Sequence, residues 1–208
     1  FVLQIKKNDM DSEKMIEPIK IGYIDTCLGL QWGDEGKGKI VDFLAKDYNI
    51  VARFQGGPNA GHTLWHEEKK IVLHNCPSGI LHEHVKNFIG PGCVVNPVTL
   101  LEEIKNVAKI LGLTSSDIKQ RIFLSKHAFV IYPYHQYLDK AMEKAKGDNS
   151  IGTTGRGIGP LYSDIKDRVA FRFGDYLNHK NFMTSPEMAR FTERALKELN
   201  FYFTEYNY

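Results

Sequence analysis

The run Gly33-Asp34-Glu35-Gly36-Lys37-Gly38-Lys39-Ile40 has the spacing G-x-x-x-x-G-K of a phosphate-cradling loop. Glycines let a backbone fold tightly enough to turn several N–H groups toward one anion. A helix that follows adds roughly half a positive charge at its N-terminus. Phosphate is the ligand such a loop suits. An ordinary loop of this kind continues with Ser or Thr, whose hydroxyl helps hold Mg²⁺; Ile40 stands here instead, so a metal ligand must come from elsewhere. Asp34 lies inside the loop, where its carboxylate would repel phosphate unless a cation lay between them, which makes it the candidate Mg²⁺ ligand. A solvated charged turn is the plain alternative for GDEGKGK. A dinucleotide site fits less well, because no G-x-G-x-x-G falls at this turn.

Such a loop needs a strand before it and a helix after it. Tyr23 to Leu28 is a short run that reads as a buried first strand, with the polar Asp25 and Thr26 against it. Ile40, Val41, Phe43 and Leu44 recur at helical spacing. Asn49 to Phe54 predicts a second strand leading into QGGPNAGHT, where Gly56, Gly57, Pro58 and Gly61 exclude regular structure. Leu64-Trp65 and Ile71 to Leu73, parted by HEEKK, predict a hairpin. A helix is expected from about Pro97 to Leu111, with Leu100, Leu101, Ile104, Val107, Ala108 and Leu111 on one face packing in the core and Gly112 stopping it. Further helices are expected near Tyr134 to Lys146 and Pro186 to Phe203. Alternating strands and helices indicate an α/β layered fold around a largely parallel central sheet. Residues 1–20 are charged and aperiodic and read as a polar extension, with the fold starting near Ile21.

Composition removes several classes. Of the 208 residues, 27 are Lys or Arg and 25 are Asp or Glu, a net charge of +2, so no basic stripe marks a nucleic-acid binder. No stretch approaches the ~20 apolar residues of a membrane span. Cys27, Cys76 and Cys93 lack C-x-x-C pairing and fit free thiols in a reducing cytoplasm, which makes a soluble cytoplasmic protein the expectation.

Gln31-Trp32-Gly33-Asp34-Glu35-Gly36-Lys37-Gly38-Lys39, followed by Gln55-Gly56-Gly57 and Asn59-Ala60-Gly61-His62-Thr63, closely resembles the adenylosuccinate synthetase family. Pro77-Ser78-Gly79-Ile80-Leu81, Gly152-Thr153-Thr154-Gly155-Arg156-Gly157-Ile158-Gly159-Pro160 and the stretch from Asp164 to Arg168 agree in order and spacing. Leu30 and Pro58 are small departures beside matching motifs. The resemblance implies a GTP-dependent ligase that phosphorylates O6 of IMP and lets L-aspartate displace the phosphate. It implies that Asp34 is the base and a Mg²⁺ ligand, that Gly61 binds Mg²⁺ through its carbonyl, and that His62, a group expected to titrate near neutrality, donates to the reacting oxygens. Lys37 would neutralise the transferring phosphoryl group. GTP would be held by Gly33, Asp34, Glu35, Gly36, Lys37, Gly38 and Lys39 together with Gly61, His62 and Thr63. IMP would be held by Asp34, Glu35, Gly36, Lys37, Asn59, Ala60, Gly61, His62, Thr154 and, across a homodimer, Arg168. Residues 21–208 would be the N-terminal part of such an enzyme. The guanine and aspartate motifs of the family's later part are not found here. The rivals are a noncatalytic nucleotide-binding portion of the same fold and a different P-loop phosphotransferase, the latter weakened by Ile40.

Overall fold

The described residues are 2–6, 23–31, 33–150, 152–177 and 182–206 of a computed structural model. Residues 1 and 7–22, most of the expected extension and the expected start near Ile21, lie outside them, as does Trp32. Residues 2–6 correct that expectation: VLQIK forms strand β1 (Val2–Lys6). It pairs antiparallel with both β2 (Ile24–Cys27) and β3 (Tyr48–Gly56). Because β1 opposes both neighbours, β2 and β3 run in the same direction. Beyond β3 the pairing is parallel, to β6 (Lys86–Val95) and through β6 to β7 (Ile122–Leu124) and β8 (Phe129–Val130). The six-stranded sheet thus has the order β2-β1-β3-β6-β7 with β8 beside β6, and one strand of opposite direction. The largely parallel α/β fold expected from the alternation is present. The buried first strand is not: β2 is an exposed edge, which is why it tolerates Asp25 and Thr26.

Helix α1 (Lys37–Ala45) follows the glycine loop and buries Val41 and Ala45 against Val51 of β3 and Val85. Ile40 and Phe43, on its other side, are exposed. The hairpin β4 (His62–His66) and β5 (Lys69–Leu73) forms a separate two-stranded sheet with Leu64 opposite Ile71. Its inner residues join Ile89 of β6 and one face of α2 (Pro97–Leu111) in the largest core cluster. The α2 limits follow from its ends. The Asn96 side chain accepts from the amides of Val98 and Thr99, Pro97 occupies the first turn, and Gly112 takes the left-handed conformation at φ 67°. Each fully buried Val, Leu or Ile in this cluster contributes ~1.5–3 kcal/mol.

Short α3 (Ser115–Gln120) opens on a capping box between Thr114 and Asp117 and leads into β7. After β8, α4 (Pro133–Ala145), α5 (Ile158–Lys166), α6 (Phe173–Leu177) and α7 (Pro186–Tyr206) complete the described chain. Helices α4 and α7 share an aromatic core of Tyr134, Phe182 and Phe191 with Leu138 and Met188. A buried polar tie runs through it. His135 faces Asp164 of α5 at 3.1 Å, and Arg194 of α7 holds the other Asp164 oxygen at 2.7 Å.

Candidate functional site

Because β2 and β3 run in the same direction, their C-terminal ends open on one edge of the sheet, where ligands of open α/β sheets bind. The loop after β2 carries Gly33 to Lys39. The loop after β3 carries Asn59 to Thr63 into β4. These two segments line one cleft of about 550 Å³. Apart from Thr154 and Arg168, every residue singled out from the sequence lies in it.

Helix α1 begins beyond Gly36, which is left-handed at φ 79°, ψ 17°, and no side chain caps it. The Lys37 and Gly38 amides are therefore left over by helix geometry and lie at the cleft, while the Lys39 amide donates back to the Gly36 carbonyl at 3.0 Å. Gly38 is buried there for a steric reason. A Cβ at this position would lie 2.7 Å from Cβ and 2.8 Å from Cγ of His62, so the α1 terminus and β4 approach at that point with room for no side chain. Asp34 is exposed and sits in the left-handed region at φ 57°, a conformation that costs a non-glycine residue ~1–2 kcal/mol and collects at functional positions. Lys37 closes onto Glu35, whose carboxylate also accepts from the Gln31 amide at 3.0 Å. The hydrogen bond from Lys37 holds the Glu35 carboxyl down at about 2.

His62 is half-buried and its pKa is pushed down to about 4, first by burial and then by the positive charge of Arg53 and Lys37 and by His74. The near-neutral titration expected of it is thus replaced by a neutral imidazole, which can donate a hydrogen bond but carries no charge. Its Nδ1 faces the Ser78 hydroxyl at 3.2 Å.

Behind the cleft, buried Arg53 of β3 donates from Nε to the Gln55 carbonyl at 3.2 Å, from Nη2 to that of Gly57 at 2.5 Å, and from Nη1 to that of His74. One guanidinium fixes the loop after β3 against the end of β5. His74 donates from Nδ1 to the Ala60 carbonyl at 2.6 Å, which leaves Nε2 to accept from Arg156 at 3.5 Å. Arg156 also donates to the Pro58 carbonyl, so Pro58 is a docking point as well as a stiff one. Buried Glu103 of α2 takes up the amides of Asn75 and Cys76, each at 2.9 Å, and so anchors the stretch from His74 to Ser78. Sequence reasoning missed Arg53, His74, Ser78 and Glu103 as site residues. A legible signal existed for Arg53, a charge inside an otherwise apolar strand.

Thr154 and Arg168 are not brought into the cleft. Thr154 lines a separate depression with Lys140 and Lys144, and nearby Arg156 reaches from that segment to the cleft wall. Arg168 is exposed just past α5, left-handed at φ 61°. Another cavity of about 460 Å³ lies among α4, α5 and α7. Its Asp164 and Arg194 neutralise each other, which gives it a structural explanation.

Comparison with known proteins agrees with this geometry. The family model for adenylosuccinate synthetase matches residues 26–207. An adenylosuccinate synthetase of Phocaeicola vulgatus is 48% identical over 178 residues, covering 86% of this chain and 41% of that protein. One of Chlorobium chlorochromatii is 52% identical over 169 residues, covering 81% of this chain and 38% of that protein. The fully ligated adenylosuccinate synthetase from Plasmodium falciparum superposes with a TM-score of 0.72 at 37% identity, over 85% of this chain and 43% of that one. The chain therefore spans about two fifths of the length of the relatives it matches. On the match over residues 26–207, which includes both loops that build the cleft, the chain belongs to the adenylosuccinate synthetase family.

Proposed function

We propose that this chain supplies the phosphoryl-transfer machinery of a GTP-dependent ligase joining IMP to L-aspartate, the first committed step from IMP to AMP. One observation supports the reading above others: a single cleft gathers the phosphate loop, Asp34, Lys37 and His62. Asp34 takes the proton from N1 of IMP, and O6, which gains the charge, attacks the γ-phosphoryl group of GTP as its bond to GDP breaks. Lys37, released from Glu35 by the incoming phosphates, neutralises the transferring group. Neutral His62 donates a hydrogen bond to the oxygens that gain charge. The aspartate amine then attacks C6 of 6-phosphoryl-IMP, phosphate leaves with O6, and the amine loses a proton.

Magnesium suits the donor set. The Asp34 carboxylate and the Gly61 carbonyl are hard oxygens lining the same cleft, and two such protein ligands leave the remaining positions to phosphate oxygens and water. When bound, the ion supplies charge neutralisation at the β- and γ-phosphates. GTP lies along Gly33 to Lys39 and Gly61 to Thr63; IMP lies along Asp34 to Lys37 and Asn59 to His62. Thr154 and Arg168 complete the IMP site only if its phosphate extends beyond the cleft or a second subunit approaches. The exposed position of Arg168 is what reaching a partner's active site in a homodimer requires. Cytoplasmic placement is supported by three free thiols, Cys27, Cys76 and Cys93. No described helix is long and apolar enough to cross a membrane.

The second reading is a noncatalytic nucleotide-binding portion of the same fold that keeps the cleft without turnover. A coupled assay following adenylosuccinate by absorbance, with GTP, IMP, aspartate and Mg²⁺ each omitted in turn, separates the two. Product formation dependent on all four supports the ligase. Magnesium-dependent binding of guanine nucleotide or IMP without product supports the second reading, and binding of neither overturns both.

A further inference from the structure

His62 is held from two sides. Gly38 of α1 lies against its Cβ and Cγ so closely that no side chain would fit between them, and Ser78 meets its Nδ1 at 3.2 Å. Ser78 is fully buried at the head of the tight turn Ser78–Leu81, just past the backbone amides that Glu103 anchors. Two arrangements satisfy the 3.2 Å contact. Either the hydroxyl donates to Nδ1, or Nδ1–H donates to the hydroxyl oxygen.

The surroundings of Ser78 choose between them. Among the described residues, the hydroxyl has no acceptor other than Nδ1. If Nδ1 carried the proton, the hydroxyl hydrogen would be buried without a partner, the arrangement that native interiors avoid. Donation from Ser78 satisfies both groups and forces the ring proton onto Nε2.

We propose that Ser78 is a positioning residue that sets the tautomer of His62, so that the imidazole presents Nε2–H to the cleft as a hydrogen-bond donor. The ligand it serves is an oxygen gaining negative charge, such as an oxo or phosphoryl oxygen. The assignment rests on the phosphoryl-transfer reading for its purpose but not for its test. A ring fixed as a donor meets such an oxygen without reorganising, whereas the other tautomer would turn a lone pair toward it.

The test is long-range ¹H–¹⁵N correlation spectroscopy of the ¹⁵N-labelled chain at pH 8 without ligand, with His62 identified by the signal lost in His62→Asn. The expected spectrum shows His62 in one tautomer, Nε2 protonated and Nδ1 bare. In Ser78→Ala both nitrogen resonances shift toward their mean as the two tautomers mix, and Ser78→Thr restores the single form. A wild-type spectrum with Nδ1 protonated overturns the proposal even if Ser78→Ala does not fold. So does a Ser78→Ala spectrum unchanged from wild type. The coupled assay reads the catalytic proposal separately, because the tautomer is measured with no nucleotide present.

Discussion

Two glycine loops in this molecule end in nearly the same backbone conformation and differ in what their amides meet. Gly36 precedes α1 at φ 79°, ψ 17°; Gly157 precedes α5 at φ 78°, ψ 18°; neither helix has a side-chain cap at that residue. A Cβ at Gly36 would meet nothing within 4 Å, and the loop is closed by its Lys37–Glu35 pair and by the Gln31 amide on the Glu35 carboxylate. Around Gly157 several of the backbone donors are already taken. The Gly157 amide donates to buried Asp139 at 2.9 Å, and the Gly152 and Thr153 amides donate to Glu143 at 2.5 and 3.3 Å. On the proposed reading the first loop keeps the Lys37 and Gly38 amides for an anion, while the second has given the Gly152, Thr153 and Gly157 amides to carboxylates of α4. An anion-binding loop is therefore told from a structural one by what occupies its amides, and glycine content alone does not decide it.

The largest expected effect separates the loops by chemistry. In whichever chain length turns over in the coupled assay, Asp34→Asn should lower turnover by about 10²–10⁴, the usual reach of a general base, while the chain keeps its fold by circular dichroism. Glu143→Gln, confined to the second loop, should leave turnover within about tenfold because it touches no reacting atom. Near-normal turnover in Asp34→Asn would remove the base assignment.

Stability should separate them in the other direction. Alanine at Gly157 would carry both the left-handed penalty, ~1–2 kcal/mol, and a collision. Its Cβ would lie 2.8 Å from the His135 carbonyl carbon and 2.9 Å from the Gln136 amide, neither of which can swing aside. Overpacking of that kind costs a further ~1–3 kcal/mol. At Gly36 an added Cβ meets nothing within 4 Å, so only the left-handed penalty applies. Urea denaturation of Gly157→Ala and Gly36→Ala should therefore differ by ~1–3 kcal/mol. Equal losses would show that the second loop gives way, and the contrast would fail.

A smaller effect concerns the Lys37–Glu35 pair. Glu35→Gln frees Lys37 and should tighten binding of inorganic triphosphate roughly 2- to 5-fold by calorimetry, the scale of one part-exposed ion pair. Weaker binding would mean that Glu35 orients Lys37 for phosphate instead of withholding it.

Much of this contrast could be read from the chain, and part of it could not. The strand, loop and helix around Gly33 to Lys39 were legible because punctuation and helical spacing sit side by side. The α2 limits were legible because Asn96, Pro97 and Gly112 each act within one turn of the backbone. Strand β1 was hidden because five strand residues were averaged with the charged residues that follow. Strand β6 was hidden by Gly90-Pro91-Gly92, which reads as a break. In the fold Gly92 passes so close to β3 that a Cβ would lie 2.5 Å from the Phe54 carbonyl oxygen. For the site, the motifs located what faces the ligand. They could not show what stands behind it, since Arg53, His74 and Glu103 act through contacts spanning 21, 14 and 28 residues of sequence. The low pKa of His62 belongs to the same class, since burial and distant cations set it.

The two helices behind the loops also differ in how they are pinned, and pH should expose that difference. Helix α5 is tied through buried Asp164 to His135 and Arg194. Helix α1 is tied to the segment after the Ser78–Leu81 turn by a part-exposed pair, His82 Nε2 with the Asp42 carboxylate and carbonyl, each at 3.0 Å. The hydrogen bond that His82 donates to Asp42, more than burial, sets the direction and raises the pKa of His82 above its ordinary 6.5. A raised folded-state pKa means that the folded chain binds the proton more tightly than the unfolded chain. Its contribution is fully present below about pH 6.5 and is lost as pH climbs through the raised value. Removing the pair with His82→Gln should thus cost about 0.3–1 kcal/mol in urea denaturation at pH 5.5, the range of a part-exposed ion pair. The cost should fall toward zero at pH 8.5. Asp42→Asn should show the same pH trend, because it deletes the other half of the pair. A cost that is flat across this interval would mean that His82 holds α1 through its neutral hydrogen bond to the Asp42 carbonyl, and only α5 would then be pinned by an ion pair.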